Sequence, residues 1–307
     1  MTQVEANGIQ IEYETFGEAD SPALLLIIGI IGQLTFWDEK LCQQLAQQGL
    51  YVIRFDNRDT GLSSKIEEAG VPDIMQTIET LRKGETIKAP YTIEDMADDA
   101  VGLLDALGIE KAHICGMSMG GMIAQTIAIN YPKRVLSLIS IYSNTGDPEE
   151  PQSESEARKF LLVPQSEERE AYIEHGIKFF SAISGPGFPY DEEWLRNFVA
   201  QSYDRAYNPE GVARQFVAIL AQKNRRPELK SLSAPALIIH GSDDPLVLVE
   251  GGKNTAADIP GAELMIIDGM GHDLPHGGAW PKIIDVIADF IQKIGTETDY
   301  SLISVVS

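Results

Sequence analysis

The sequence has few cysteines, few basic residues and no long apolar run. Its 307 residues include only two cysteines, Cys42 and Cys115, which predicts no disulfide framework and fits a reducing compartment. No cluster of cysteine, histidine and acidic residues has the spacing of a metal site. No run is long and apolar enough to cross a bilayer, and the N-terminus lacks the basic and apolar segments of a secretory signal. We therefore expect a cytoplasmic protein that holds no metal and does not insert into a membrane.

Basic residues are outnumbered by acidic ones almost two to one. The 24 lysines and arginines against 46 aspartates and glutamates give a formal net charge of −22 at pH 7. Such a charge repels phosphate backbones and anionic lipid surfaces, which excludes nucleic acid and makes membranes poor partners. The sequence leaves the formation of a homodimer open.

Short apolar runs alternate with helical patterns along the chain. The runs 24–28 and 51–55 are apolar except for Arg54, as is typical of strands covered on both faces, and 135–141 is predicted to be another buried strand. The segment 91–107 has the periodicity of an amphipathic helix, with Thr92 as its N-cap. The alternation predicts an α/β fold with a mostly parallel central sheet, whose ligands bind beyond the C-terminal strand ends.

A G-x-S-x-G pattern is centred on Ser118, with Gly116 and Gly120 two residues before and after it. A strand-like segment, 112–115, precedes the pattern, and a helix-like segment, 122–130, follows it. A tight strand-to-helix turn exposes the serine, and the flanking glycines permit so sharp a bend. The pattern therefore predicts that Ser118 is a nucleophile.

A serine nucleophile needs a base to remove its proton. Five histidines are available: His113, His175, His240, His272 and His276. His272 is the best candidate, because it sits on a glycine-rich loop just beyond the strand-like run 263–267 and can reach across the strand ends. His276 is the nearby competitor, although its proline and glycine neighbours favour a turn. His113 fits a strand, and His175 fits a polar helix far from any strand end. His240 fits a pocket wall.

The base in turn needs an acid that orients it. Asp243 and Asp244 both follow the apolar run 236–239. Asp244 is favoured because it precedes Pro245, which keeps the chain from continuing into a helix and lets the side chain project from the loop. Asp243 remains the alternative.

The chain order serine, aspartate, histidine resembles that of the α/β-hydrolase superfamily, and within it the serine esterase branch. The runs 29–37, 55–63 and 116–125 are similar to the group that includes aclacinomycin-type (anthracycline) methylesterases. The resemblance covers nearly the whole chain. It implies the α/β-hydrolase fold, a mostly parallel central sheet flanked by helices with a helical cap insertion.

The resemblance also implies an oxyanion hole made by two backbone N–H groups, those of Met119 and Ile30. The loop that carries Ile30 departs from many relatives, which have His-Gly where this chain has Ile28-Gly29. It also places a bulky residue, Ile31, among the glycines. The side chain of Gln33 either lines the pocket or stabilises a turn.

The character of the chain changes at about residue 144. Residues 144–229 contain helix-like segments and nearly half of the aromatic residues, which predicts a helical cap over the site. Residues 1–143 and 230–295 would form the α/β core, and 296–307 a peripheral tail.

Three charged residues, Asp56, Arg58 and Asp59, follow the strand-like run 51–55. We interpret them as an internal arginine–aspartate pair that stabilises the turn, in preference to a substrate clamp.

Together these features predict a serine hydrolase that cleaves carboxylic esters of small to medium, hydrophobic or aromatic substrates through an acyl-enzyme. The substrate is a small-molecule ester, and the chemistry needs no cofactor. A polyketide-type methylesterase and a cofactor-free perhydrolase are alternatives that use the same three residues. A ligand-binding homologue without turnover is the alternative of a different class.

Overall fold

The computed structural model describes residues 2–304 apart from 154, 164, 189–190 and 274–277, and for 297–304 it describes the backbone alone. A central sheet of eight strands occupies the middle of this structure, in the order β1-β2-β4-β3-β5-β6-β7-β8. The strands are β1 (Thr2–Ala6), β2 (Ile9–Phe16), β3 (Ala23–Ile27), β4 (Tyr51–Phe55), β5 (Ala112–Met117), β6 (Val135–Ile141), β7 (Ala236–Gly241) and β8 (Glu263–Ile267). The β1–β2 and β2–β4 pairs are antiparallel and all later pairs are parallel.

Helices connect the strands and cover the sheet. They are α1 (Glu39–Gln47), α2 (Ile74–Arg82), α3 (Ile93–Ala106), α4 (Met119–Asn130), α5 (Ala157–Phe160), α6 (Arg169–Ile183), α7 (Glu192–Arg205), α8 (Pro209–Leu220), α9 (Arg226–Leu229), α10 (Val249–Asp258) and α11 (Trp280–Ser304). Thr92 caps α3 through a reciprocal capping box with Asp95, as its position in the sequence predicts.

The core lies on both faces of the sheet, as the continuous apolar strands require. In β3, Leu25 and Ile27 pack on the side of α3 and α4, whereas Leu24 and Leu26 pack on the side of α1 and α11. Because side chains alternate along a strand, a strand buried on both faces is apolar at most of its positions. This explains why the runs at β3, β4 and β6 were readable from the sequence.

The predicted α/β-hydrolase fold is confirmed, with two differences in detail. The strand β1 was not predicted, because only Ala6 of its five residues is buried and no alternation marks it. Helix α11 continues to Ser304, and so enters the predicted tail, of which 305–307 lie outside the described residues.

The helices α5 to α9 all fall between β6 and β7, within the segment 144–229. The division into a core and a cap remains a prediction, but this placement puts the helical segment next to the C-terminal ends of the parallel strands. Over the described residues, no helix is both long and apolar enough to cross a membrane.

Candidate active site

Ser118 occupies a sharp turn between β5 and α4. Its backbone has φ 54° and ψ −119°, a conformation that residues other than glycine adopt only under local strain. Two glycines make the turn possible. A Cβ at Gly116 would lie 1.9 Å from the Gly120 carbonyl oxygen, and one at Gly120 would lie 2.2 Å from the Ile27 carbonyl oxygen. The turn therefore needs glycine at both positions, as the G-x-S-x-G pattern predicts.

The structure brings Ser118, His272 and Asp244 into one hydrogen-bonded row. His272 Nε2 lies 2.9 Å from Ser118 Oγ, and His272 Nδ1 lies 2.7 Å from Asp244 Oδ2. All three residues follow the C-terminal end of a strand, β5, β8 or β7. Asp244 and His272 are buried. This is the arrangement of a nucleophile, a base and an orienting acid.

Asp244 is held in place by more than the histidine. Its Oδ1 accepts hydrogen bonds from the backbone N–H groups of Leu246 and Val247, each at 2.8 Å. Its Oδ2 lies 3.3 Å from Nε2 of His240. Burial acts to raise the pKa of Asp244, but the charge of His272 and the hydrogen bonds from both histidines outweigh it and lower the pKa to about 2. The alternative acid, Asp243, instead accepts a hydrogen bond from its neighbour, the Ser242 hydroxyl, at 2.6 Å.

The remaining histidines have different surroundings. His113 is buried in the sheet 2.8 Å from the Ser137 hydroxyl, and burial lowers its pKa to about 4. His240 lies behind Asp244, where its Nε2 also lies 2.9 Å from the Val247 carbonyl oxygen. His175 lines the pocket beside Ser118, which its position in a polar helix far from any strand end did not suggest. The competitor His276 lies outside the described residues.

The loop after β3 lies against the serine. A Cβ at Gly29 would be 3.1 Å from Ser118 Cβ, and the next residue, Ile30, lines the same pocket. Ile31 has φ 71°, which is strained for a β-branched residue. Met119 is the first residue of α4, where backbone N–H groups have no partner within the helix. Both predicted oxyanion donors therefore lie near Ser118, and their role stays a prediction.

Gln33 lines the pocket, the first of its two predicted roles, and its side chain joins the loop to the end of α7 instead of stabilising its own turn. Its Nε2 donates to the carbonyl oxygens of Ser202 at 2.7 Å and Ala206 at 3.0 Å. Arg205 donates to Gln33 Oε1 at 2.7 Å and lies 2.8 Å from the buried carboxylate of Asp56. This network fixes the loop that carries Ile30 to the helix above it.

The predicted internal pair among Asp56, Arg58 and Asp59 is wrong. Each of the three binds a partner on a distant helix. Arg58 pairs with Asp99 of α3, Asp59 with Arg214 of α8, and Asp56 with Arg205 at the end of α7. The residues still stabilise the structure, but they do so by fastening helices to the end of β4.

Two residues beside His272 were missed by sequence reasoning. The ring of Tyr142 packs against the imidazole with centroids 4.5 Å apart, and its backbone has φ 36°. Asp273 is half-buried next to the histidine, and its shielded Oδ1 has no hydrogen-bond partner among the described residues. Burial raises the pKa of Asp273 to about 6, although a hydrogen bond from Ser184 opposes the shift. No signal in the sequence marks either position.

A pocket opens above Ser118 and His272, and its walls are mostly apolar. The helical segment 144–229 supplies much of the lining, and the loop after β3 supplies most of the rest. Across the described ranges, no group of three or more histidine, cysteine or acidic side chains is placed to hold a metal ion.

The fold has a counterpart among known families. A family model described as the alpha/beta hydrolase fold matches residues 22–279. The chain therefore belongs to the α/β-hydrolase family.

The relatives agree with the resemblance read from the sequence motifs. Rhodomycin D methylesterase DnrP of Streptomyces peucetius is 27% identical over 277 residues, which cover 84% of this chain and 86% of the relative. 3-Oxoadipate enol-lactonase 2 of Acinetobacter baylyi is 28% identical over 270 residues, which cover 86% of each chain. A thermophilic esterase from Thermogutta terrifontis has a structure that matches with a TM-score of 0.72 at 24% identity, covering 96% of this chain and 99% of that one. This last likeness concerns the fold alone. The predicted resemblance to the methylesterase group is confirmed.

Proposed function

We propose that this protein hydrolyses carboxylic esters through an acyl-enzyme formed on Ser118. The observation that carries the proposal is the row of hydrogen bonds from Ser118 Oγ through His272 to Asp244, at 2.9 and 2.7 Å. A serine hydroxyl within reach of an imidazole that is itself oriented by a carboxylate is the requirement for nucleophilic attack on an acyl group.

In the first half of the reaction, Ser118 Oγ attacks the ester carbonyl while His272 Nε2 takes the hydroxyl proton. Asp244 stabilises the imidazolium that results. The N–H groups of Met119 and Ile30 receive the oxyanion, and losing one such donor typically raises the barrier by about 3 kcal/mol. The carbon–oxygen bond of the ester then breaks, His272 gives its proton to the leaving alcohol, and the acyl group remains on Ser118.

In the second half, water repeats the attack on the acyl-enzyme. His272 Nε2 takes a proton from the water, and the same two N–H groups hold the new oxyanion. Collapse releases the carboxylic acid and returns the proton to Ser118 Oγ. Water is the only co-reactant that this scheme requires.

The predicted enzyme class, a carboxylic ester hydrolase, is confirmed by the family match and by relatives named as a methylesterase and an enol-lactonase. Within that class we propose esters of small alcohols with hydrophobic or ring-bearing acyl groups. The apolar pocket wall supports a hydrophobic acyl group, and the methylesterase relative supports methanol as the leaving alcohol. A methylesterase for polyketides falls within this proposal.

The test is hydrolysis of p-nitrophenyl esters from acetate to palmitate by the wild type and by Ser118→Ala. We expect turnover that falls by about a thousandfold or more in the variant, because the nucleophile is lost. The chain length with the highest kcat/KM measures the length of the acyl pocket. Comparable turnover by the folded variant would contradict the proposal.

A further inference from the structure

One face of helix α6 forms a continuous wall of the pocket. The residues on this face are Tyr172, His175, Gly176, Phe179, Phe180 and Ile183. Their spacing of three or four residues places them on the same side of the helix. The pocket therefore follows the helix over most of its length.

The helix gives the length of this wall. The C-terminal end of α6 lies beside the proposed catalytic residues, where the backbone N–H of His272 donates to the Ile183 carbonyl oxygen at 2.8 Å. An α-helix rises about 1.5 Å per residue, so His175, eight residues earlier, lies about 12 Å farther along the axis. An extended chain covers about 1.2 Å per bond. A linear substrate therefore reaches His175 about ten bonds beyond its ester carbon.

The middle of the wall offers little to a polar substrate. The ring of Phe36 stacks on Phe180 with centroids 5.7 Å apart and meets the edge of Phe198 at 5.4 Å. The two polar side chains in this region already have protein partners. Ser202 Oγ donates to the Phe198 carbonyl oxygen, and Gln33 is held by the end of α7.

The far end of the wall is different. Tyr172, His175 and Gln165 all line the pocket there. Within the described part of the chain, neither the Tyr172 hydroxyl nor the Gln165 side-chain amide has a hydrogen-bond partner in the protein. Polar groups at the end of an apolar channel give orientation and specificity to a ligand.

His175 is the polar group whose chemistry is best defined. Partial burial lowers the pKa of its ring, which favours the neutral form. The same ring meets the edge of the Phe160 ring at 5.4 Å, which fixes its orientation. A neutral imidazole carries a lone pair on one of its two ring nitrogens. It therefore offers an acceptor for a hydrogen-bond donor.

We propose that His175 binds a hydroxyl group at the distal end of the substrate's acyl chain. The protein thus selects esters whose apolar acyl chain ends in an alcohol or phenol about ten bonds from the ester carbon. This inference rests on the proposed function of Ser118, since the ester must lie there for the far end to reach His175.

The experiment compares methyl ω-hydroxydecanoate with methyl decanoate, whose carbon chains have the same length. We expect the wild type to have a kcat/KM about threefold to tenfold higher for the hydroxy ester, mainly through KM, because one neutral hydrogen bond is gained. His175→Leu removes the acceptor and leaves a buried hydroxyl unpaired, so the preference should reverse. His175→Gln restores a carbonyl acceptor and should retain part of the wild-type preference for the hydroxy ester. Ser181→Ala, on the exposed side of α6, should keep the wild-type ratio.

Binding separates a failure of this proposal from a failure of the proposed catalysis. Calorimetry with Ser118→Ala, with and without His175→Leu, measures the affinity for both esters without turnover. Tighter binding of the hydroxy ester that depends on His175 supports the subsite even if the wild type hydrolyses neither ester. Equal or weaker binding of the hydroxy ester by Ser118→Ala, or a preference unchanged by His175→Leu, overturns the subsite even if both esters are hydrolysed.

Discussion

At the scale of single residues, Asp244 shows how a loop aspartate becomes a fixed anion. Two backbone N–H groups hold one of its oxygens, and two histidines share the other. These contacts favour the charged form and also fix the direction of the side chain. Asp243 has the same charge and nearly the same place in the sequence, but its hydrogen bond is to Ser242.

This difference predicts unequal effects of two conservative substitutions. Asp244→Asn should lower kcat by about 10³-fold to 10⁴-fold, because an amide at this position favours the wrong tautomer of His272. Asp243→Asn should stay within about twofold of the wild type. Steady-state kinetics with both variants checks this. An equal loss in the two would contradict the assignment of Asp244.

Asp273 predicts a pH-dependent stability. Its pKa is about 6 in the folded protein against an ordinary value of 3.8, so the folded state binds the proton more tightly. The free energy of unfolding therefore falls as pH rises from about 4 to about 6. Above pH 6 the loss is about 3 kcal/mol, and below pH 4 there is none. Asp273→Asn should raise Tm at pH 8 and leave it near the wild-type value at pH 4. Thermal unfolding across this range is the measurement, and a pH-independent difference would contradict the account.

At the scale of elements, long-range ion pairs attach the helical segment to the sheet. Arg214 of α8 makes two 2.8 Å hydrogen bonds to the carboxylate of Asp59, just after β4, and a third bond to the Gly70 carbonyl oxygen. Both side chains of the pair are fully buried. Removing one partner of such a pair leaves an uncompensated charge in the interior.

Arg214→Met should accordingly lower the free energy of unfolding by about 3 to 5 kcal/mol. Asp59→Asn combined with Arg214→Met should cost less than the sum of the two single changes, because neither charge is then left alone. Denaturant unfolding of the four proteins measures the coupling. Additive effects would mean that the pair contributes nothing beyond its separate parts.

The elements also show what the sequence could and could not reveal. Ser118, Asp244 and His272 each follow a strand whose apolar residues mark it in the sequence, β5, β7 or β8, so their meeting at the C-terminal strand ends was predictable. The partner of Asp59 lies 155 residues away, and no local pattern encodes such a distance. His175 was set aside for the same reason, because only the folding of α6 over the strand ends brings it to the pocket.

At the scale of the whole molecule, the acidic surface opposes folding. A formal charge of −22 on 307 residues creates self-repulsion that salt screens. Raising NaCl from about 0.01 M to about 0.15 M shortens the screening length from about 30 Å to about 8 Å. Tm should rise by a few degrees over this range, and a nonionic solute at the same osmolality should not reproduce the rise. An unchanged or lower Tm in salt would contradict this prediction.

The fold, the pocket and the row of hydrogen bonds all support the proposal that Ser118 carries the acyl group. The most direct test is to quench the wild-type protein during turnover of p-nitrophenyl butyrate and to map the modified peptide by mass spectrometry. We predict a butyryl group on Ser118, absent when the experiment is repeated with Ser118→Ala. Ester hydrolysis that continues in Ser118→Ala, with no acyl group on Ser118 in the wild type, would contradict the acyl-enzyme mechanism.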